Sequence, residues 1–137
     1  MDRKELEAVL PHRGRMLLLN EAETVDNVAH ARYTVRGDEF FLDGHFPGNP
    51  IVPGVIQCEM LAQSVCVLLQ GVLKPGQTPL YTGLKNVRFK STVRPGDTIE
   101  LESTITRIKL PFYFAEGKGT VNGNVCVTGE FSFAIID

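Results

Sequence analysis

The stretch that constrains this chain most is Gly44-His45-Phe46-Pro47-Gly48-Asn49-Pro50-Ile51-Val52-Pro53-Gly54, together with the apolar run behind it. Three prolines and three glycines in so short a span exclude a regular helix or strand there, which puts His45 in a constrained loop. Residues 55–69 then read VIQCEMLAQSVCVLL, with no Gly or Pro and with Glu59 as the one ionisable carboxylate. Apolar side chains fall on every face of that run, the pattern of a helix buried all round and expected to extend to about residue 70. Interrupted by Gln57, Glu59 and Gln63, it is too short and too polar to span a bilayer, which takes about 20 apolar residues. A helix of this kind needs other elements wrapped around it, and its carboxylate needs a reason to be there.

Composition closes off other classes. The 137 residues suit a single domain, 1–137, able to bury a core without staples. Lys and Arg number 14 against 16 Asp and Glu, a net charge of -2, which does not suggest a nucleic-acid binder. The opening MDRKELEAVL is charged and its apolar content scattered, so no signal peptide is expected and a cytoplasmic location is. Cys58 and Cys66 stand about 12 Å apart along a helix at roughly 1.5 Å per residue, beyond disulfide reach, and Cys126 is distant in sequence. The thiols are expected to be buried, reduced and structural. Three histidines and three cysteines without ligand spacing predict neither a metal site nor a cofactor.

Around the central run the chain reads mostly as strand. Leu6, Val9 and Leu10 predict a short helix ending at Pro11, and Met16-Leu17-Leu18-Leu19 lead into a strand ending near Val25. Asp26-Asn27 marks a turn before a strand over residues 30–36, and Phe40, Phe41 and Leu42 are expected to dock a connection on the core. Alternation over residues 86–94 places Val87, Phe89, Ser91 and Val93 on one face and Arg88, Lys90 and Arg94 on the other. Ile99, Leu101 and Ile105 continue the pattern, Phe112 to Val121 follow as another strand, and Asn122-Gly123 is a strong hairpin signal before a last strand. The expected fold is α+β: an antiparallel sheet of about six strands around one long helix.

The string GHFPGNPIVPGVIQCEMLAQ resembles the active-site motif of the beta-hydroxyacyl-[acyl carrier protein] dehydratases, a hot-dog-fold family. Leu10-Pro11-His12-Arg13, Val87-Arg88-Phe89 and Val93-Arg94-Pro95-Gly96-Asp97 match in the expected order, so the resemblance spans most of the chain. It implies a sheet wrapped around the helix, a homodimer with one continuous sheet, and in many members a trimer of dimers. It also implies elimination of water from a (3R)-3-hydroxyacyl thioester to give the trans-2-enoyl thioester. His45 would be the base and Glu59 the acid, or the group orienting the departing water, the two coming from opposite subunits. Gly54, at the start of the helix with Pro53 before it, would offer its N–H to the thioester oxygen. Gln63, one turn beyond Glu59, would support the carboxyl, and Phe46 would follow His45 through a cis peptide bond.

Acyl carrier proteins are acidic, so Arg88, Lys90 and Arg94, with Arg13 and Arg15 near them in character, are candidate docking residues. His12 and His30 are expected to be structural or exposed, His12 as a loop anchor. Glutamate rather than aspartate at position 59 favours a plain dehydratase over one that also isomerises the double bond. An (R)-specific enoyl-CoA hydratase, a hot-dog acyl thioesterase and a non-catalytic acyl-thioester sensor stand as the alternatives.

Overall fold

In the computed structural model, which describes residues 1–44 and 48–136, two helices and six strands follow the expected order. They are α1 (Arg3–Val9), β1 (Glu21–Val25), β2 (Val28–Thr34), α2 (Gly54–Val67), β3 (Thr78–Phe89), β4 (Thr98–Lys109), β5 (Phe112–Val121) and β6 (Asn124–Ile136). Short 3-10 turns lie at Gly14–Met16 and Phe40–Leu42. The strands make one antiparallel sheet in the order β1-β2-β4-β5-β6-β3. Among the described residues no helix is long and apolar enough to cross a membrane.

Two hairpins set the register. Asp26 and Asn27 (φ 51° and 65°), and Asn122 and Gly123 (φ 51° and 81°), place both central residues in the left-handed region. Such turns match the twist of the strands they join. At the other end of the chain, Asp2 caps α1: its side chain accepts from Glu5 N at 2.9 Å while Glu5 Oε1 accepts from Asp2 N at 3.3 Å.

Helix α2 packs against β1, β2, β4, β5 and β6. The approach is close where the sheet has no side chain to interpose. A Cβ on Gly117 would sit 3.1 Å from Leu61 Cδ2 and 3.0 Å from the Glu102 carbonyl. Beside it Ser64 Oγ donates to Leu61 O (2.6 Å) and lies 2.9 Å from Ser103 Oγ, which therefore supplies the proton of that second bond. Both hydroxyls are buried and both are satisfied. Leu17, Leu18, Leu19, Met60, Ile99 and Leu101 belong to the main core. Val65, Leu69, Tyr113 and Phe133 form a second cluster around the stacked Tyr113 and Phe133 rings.

Three expectations need correction. Helix α2 ends at Val67, and residues 68–70 continue it as turns. It is also not buried all round: Val55 is 73% exposed and Glu59 and Ala62 are half-buried, because the sheet wraps the other faces and leaves this stripe open. The strand expected over residues 86–94 is instead β3, which starts at Thr78 and ends at Phe89. Irregularities between Tyr81 and Gly83 and between Lys85 and Arg88, with Asn86 at φ 52°, break its alternation. Phe89 is consequently exposed, while Val93, beyond the strand, is fully buried and accepts from Val52 N at 2.8 Å.

Candidate active site

His45, Phe46 and Pro47 lie outside the described residues, and with them the expected cis bond between His45 and Phe46. Their flanks are well anchored. Upstream, the buried Glu39 carboxylate accepts from Tyr33 Oη (2.7 Å), Arg36 N (2.9 Å) and Gly37 N (2.8 Å), and Phe41 and Leu42 reach the core. Burial works against the charge of Glu39, but the two backbone N–H groups and the tyrosine outweigh it and hold the carboxyl below its ordinary value. Burial and the hydrogen bond to Glu39 push the Tyr33 hydroxyl up to about 12. Downstream, Arg94 Nη1 donates to Asn49 Oδ1 (2.6 Å) and the Val52 backbone is tied to Val93.

Glu59 stands on the open stripe of α2, its side chain 21% exposed. Its Oε1 lies 3.1 Å from His12 Nε2 and 3.4 Å from Gln63 Nε2. The surroundings are thus more polar than the helix sequence suggests. Gln63 does reach the carboxyl, but its shorter bonds go elsewhere: Oε1 accepts from Leu18 N (2.8 Å) and Nε2 donates to Met16 O (2.7 Å). It therefore fastens the segment before β1 to α2 as well as touching Glu59. Sequence reasoning assigned His12 to loop anchoring and missed this contact with the acid. The signal available for it was the Leu10-Pro11-His12-Arg13 segment itself, some 47 residues before Glu59.

Gly54 is the first residue of α2, with Pro53 as the cap. The first backbone N–H groups of a helix lack partners within it, so this end can accept a partial negative charge. The space where a Gly54 side chain would stand is filled by the Phe89 ring, whose Cζ would be 2.7 Å from an added Cβ. Tyr81, on β3, donates its hydroxyl to the Cys58 carbonyl at 3.0 Å. Shelter against α2 and the Glu59 charge nearby both raise that hydroxyl above its ordinary value. Sequence reasoning passed over Tyr81 too. Gln57 donates weakly to Val52 O (3.4 Å), and its buried Oε1 has no partner among the described residues.

The basic residues do not form the expected strand face. Arg88, Lys90 and Arg94 are all exposed, yet β3 ends at Phe89, so only Arg88 is on the strand, and Arg94 is engaged with Asn49. His30, on β2, has Nδ1 3.8 Å from Glu102 Oε1 on the neighbouring strand. Cys58, Cys66 and Cys126 are free and buried, and burial pushes the Cys66 thiol up to about 12 and that of Cys126 to about 11, so none is poised as a nucleophile.

An antiparallel sheet around one central helix, with a carboxylate on the helix face that the sheet leaves open, defines a hot-dog protein. The dehydratase heterocomplex ApeI:P from Xenorhabdus doucetiae has the same fold, with a TM-score of 0.82 at 24% identity over 96% of this chain and 91% of that one. The fluoroacetyl-CoA-specific thioesterase FlK shares it at a TM-score of 0.70 and 13% identity, over 83% of this chain and 95% of that one. In sequence, the 3-hydroxyacyl-[acyl-carrier-protein] dehydratase FabZ of Clostridium perfringens (strain SM101 / Type A) is 38% identical over 98% of this chain and 99% of its own. That of Latilactobacillus sakei subsp. sakei (strain 23K) is 37% identical over 98% and 99%. The family model described as ApeI-like: ApeI dehydratase matches residues 21–130. The chain belongs to this dehydratase family.

Proposed function

We propose that this protein is a hydro-lyase that removes water from a (3R)-3-hydroxyacyl thioester carried on acyl carrier protein, giving the trans-2-enoyl thioester for fatty-acid synthesis. The observation that carries the reading is the placement of Glu59, half-buried on the open stripe of the central helix, with His12 and Gln63 nitrogens at 3.1 Å and 3.4 Å from one carboxyl oxygen. The similarity to proteins named as 3-hydroxyacyl-[acyl-carrier-protein] dehydratases supplies the substrate class.

In the proposed reaction His45 takes a proton from C2, the C2–C3 double bond forms, and the C3–O bond breaks as Glu59 gives its proton to the departing hydroxyl. Water leaves, and the proton gained by His45 and lost by Glu59 is re-equilibrated through solvent. The Gly54 N–H, at the positive end of α2, meets the charge that develops on the thioester oxygen. No metal or cofactor is needed for any of these steps.

The free edge of β3 fits a second copy of the chain. Leu80, Leu84 and Phe89 are exposed along this strand, and a twofold pairing there would continue the sheet. The proposed assembly is a homodimer in which His45 of one protomer serves Glu59 of the other, and trimers of such dimers are a further step. Arg88 and Lys90 remain the proposed contacts for an acidic carrier.

The test follows conjugated-enoyl absorbance and free thiol from the same 3-hydroxyacyl thioester. Enoyl product without thiol release is expected, and His45→Ala and Glu59→Gln should each lower the rate by about 10²-fold or more. Thiol release without enoyl product would replace this reading with a thioesterase.

A further inference from the structure

Two donors converge on a single oxygen of Glu59. His12 Nε2 and Gln63 Nε2 both address Oε1, at 3.1 Å and 3.4 Å, whereas Oε2 is neither bonded nor sealed in among the described residues. The second nitrogen of His12, Nδ1, is buried and has no hydrogen-bond partner among the described residues. A proton on Nδ1 would be a buried donor without an acceptor, while a proton on Nε2 has the carboxyl oxygen in front of it. The ring therefore takes the Nε2–H tautomer, which turns its N–H side toward Glu59 Oε1 at 3.1 Å.

The backbone around His12 is built to hold that ring. Leu10, at the end of α1, is buried and its N–H is bonded to Leu6 O at 2.8 Å. Arg13 folds back over the turn, with Nη1 donating to Leu10 O (2.6 Å) and His12 O (2.8 Å). Gln63 is fixed in turn by its bonds to Leu18 N and Met16 O. Both donors thus reach Glu59 from rigid supports.

We propose that His12 is a positioning residue: with Gln63 it occupies Oε1 of Glu59 and so makes Oε2 the oxygen that carries and delivers the proton. An oxygen faced by two nitrogens at 3.1 Å and 3.4 Å is a poor site for a hydrogen of its own, so a protonated Glu59 bears it on the open side. The leaving hydroxyl then meets an acid whose proton points in one direction, with no rotation needed as the C3–O bond breaks. This inference rests on the dehydratase reading above, and it assigns His12 no contact with the substrate.

The experiment compares wild type, His12→Ala and His12→Gln on a (3R)-3-hydroxyacyl thioester, with thermal melting to monitor folding. His12→Ala should lower kcat about 10- to 100-fold while KM stays within about twofold. His12→Gln, whose amide N–H₂ reaches about as far as Nε2, should recover most of that loss. A loss confined to KM, or a glutamine variant no better than alanine in kcat while both melt like wild type, overturns the proposal. The second readout needs no turnover: in ¹⁵N spectra at alkaline pH, where imidazole is neutral, His12 should carry its proton on Nε2. A proton on Nδ1 removes the clamp. If wild type makes no enoyl product, the dehydratase reading fails, and the nitrogen spectrum alone decides whether His12 holds Glu59.

Discussion

Among single residues, Glu39 makes the clearest prediction. Its carboxylate is buried, accepts three hydrogen bonds and is held below its unfolded value of 4.5. A carboxyl depressed on folding stabilises the native state above its unfolded value, and that contribution is lost as the pH falls through the folded value. Glu39→Gln should therefore be less stable than wild type at pH 7, by about 1–3 kcal/mol for a buried charged acceptor, and the gap should shrink in acid. Denaturant melts at several pH values check this, and a gap independent of pH would show that the charge is not what matters. Glu39 was read from the sequence only as part of an irregular connection. The bonds it makes with Tyr33, Arg36 and Gly37 depend on how the chain turns after β2, which no periodicity encodes. The contact of His12 with Glu59 was hidden for a related reason, since side chains that meet across loops leave no spacing to read.

At the level of elements, strands with alternating patterns and Asn-Gly or Asp-Asn turns were legible because period and turn chemistry act locally. Strand β3 was misjudged because its two irregularities shift which side chains face inward, and an edge strand has only one neighbour to correct its register. Its end matters to the start of α2. Gly54→Ala would drive a methyl into the Phe89 ring. Being exposed, the ring can move, so a modest loss of stability is expected, relieved when Phe89→Ala is added. A double-mutant cycle should give a coupling of about 0.5–3 kcal/mol, and strict additivity would mean that the two do not compete for that space. Gln63→Leu tests the other attachment of α2. Losing its bonds to Leu18 N and Met16 O should lower the melting temperature and speed amide exchange at Leu18 more than at β4 or β5.

For the whole molecule, the sheet around a helix was legible from one loop-and-helix motif and a run of strands, whereas the proposed assembly rests on resemblance alone. A single chain with an apolar free edge at β3 and an uncovered stripe on α2 fits the proposed homodimer. Subunit mixing tests it directly. In a dimer whose sites combine His45 of one protomer with Glu59 of the other, His45→Ala and Glu59→Gln chains re-assembled together regain one intact site in each mixed dimer. With random pairing, that restores about a quarter of wild-type activity. If each site drew both groups from one protomer, the mixture would stay dead.

The glycine that lets Leu61 press against β5 has one more effect. With Leu61 at contact distance from Gly117, the acyl chain of the proposed function would run along the flank of α2 that carries Val55, Glu59 and Ala62. On the proposed function, the girth of the side chain at position 62 would then set the acyl length that fits. Ala62→Phe should move the preferred thioester toward shorter acyl groups and leave the shortest ones turning over as before.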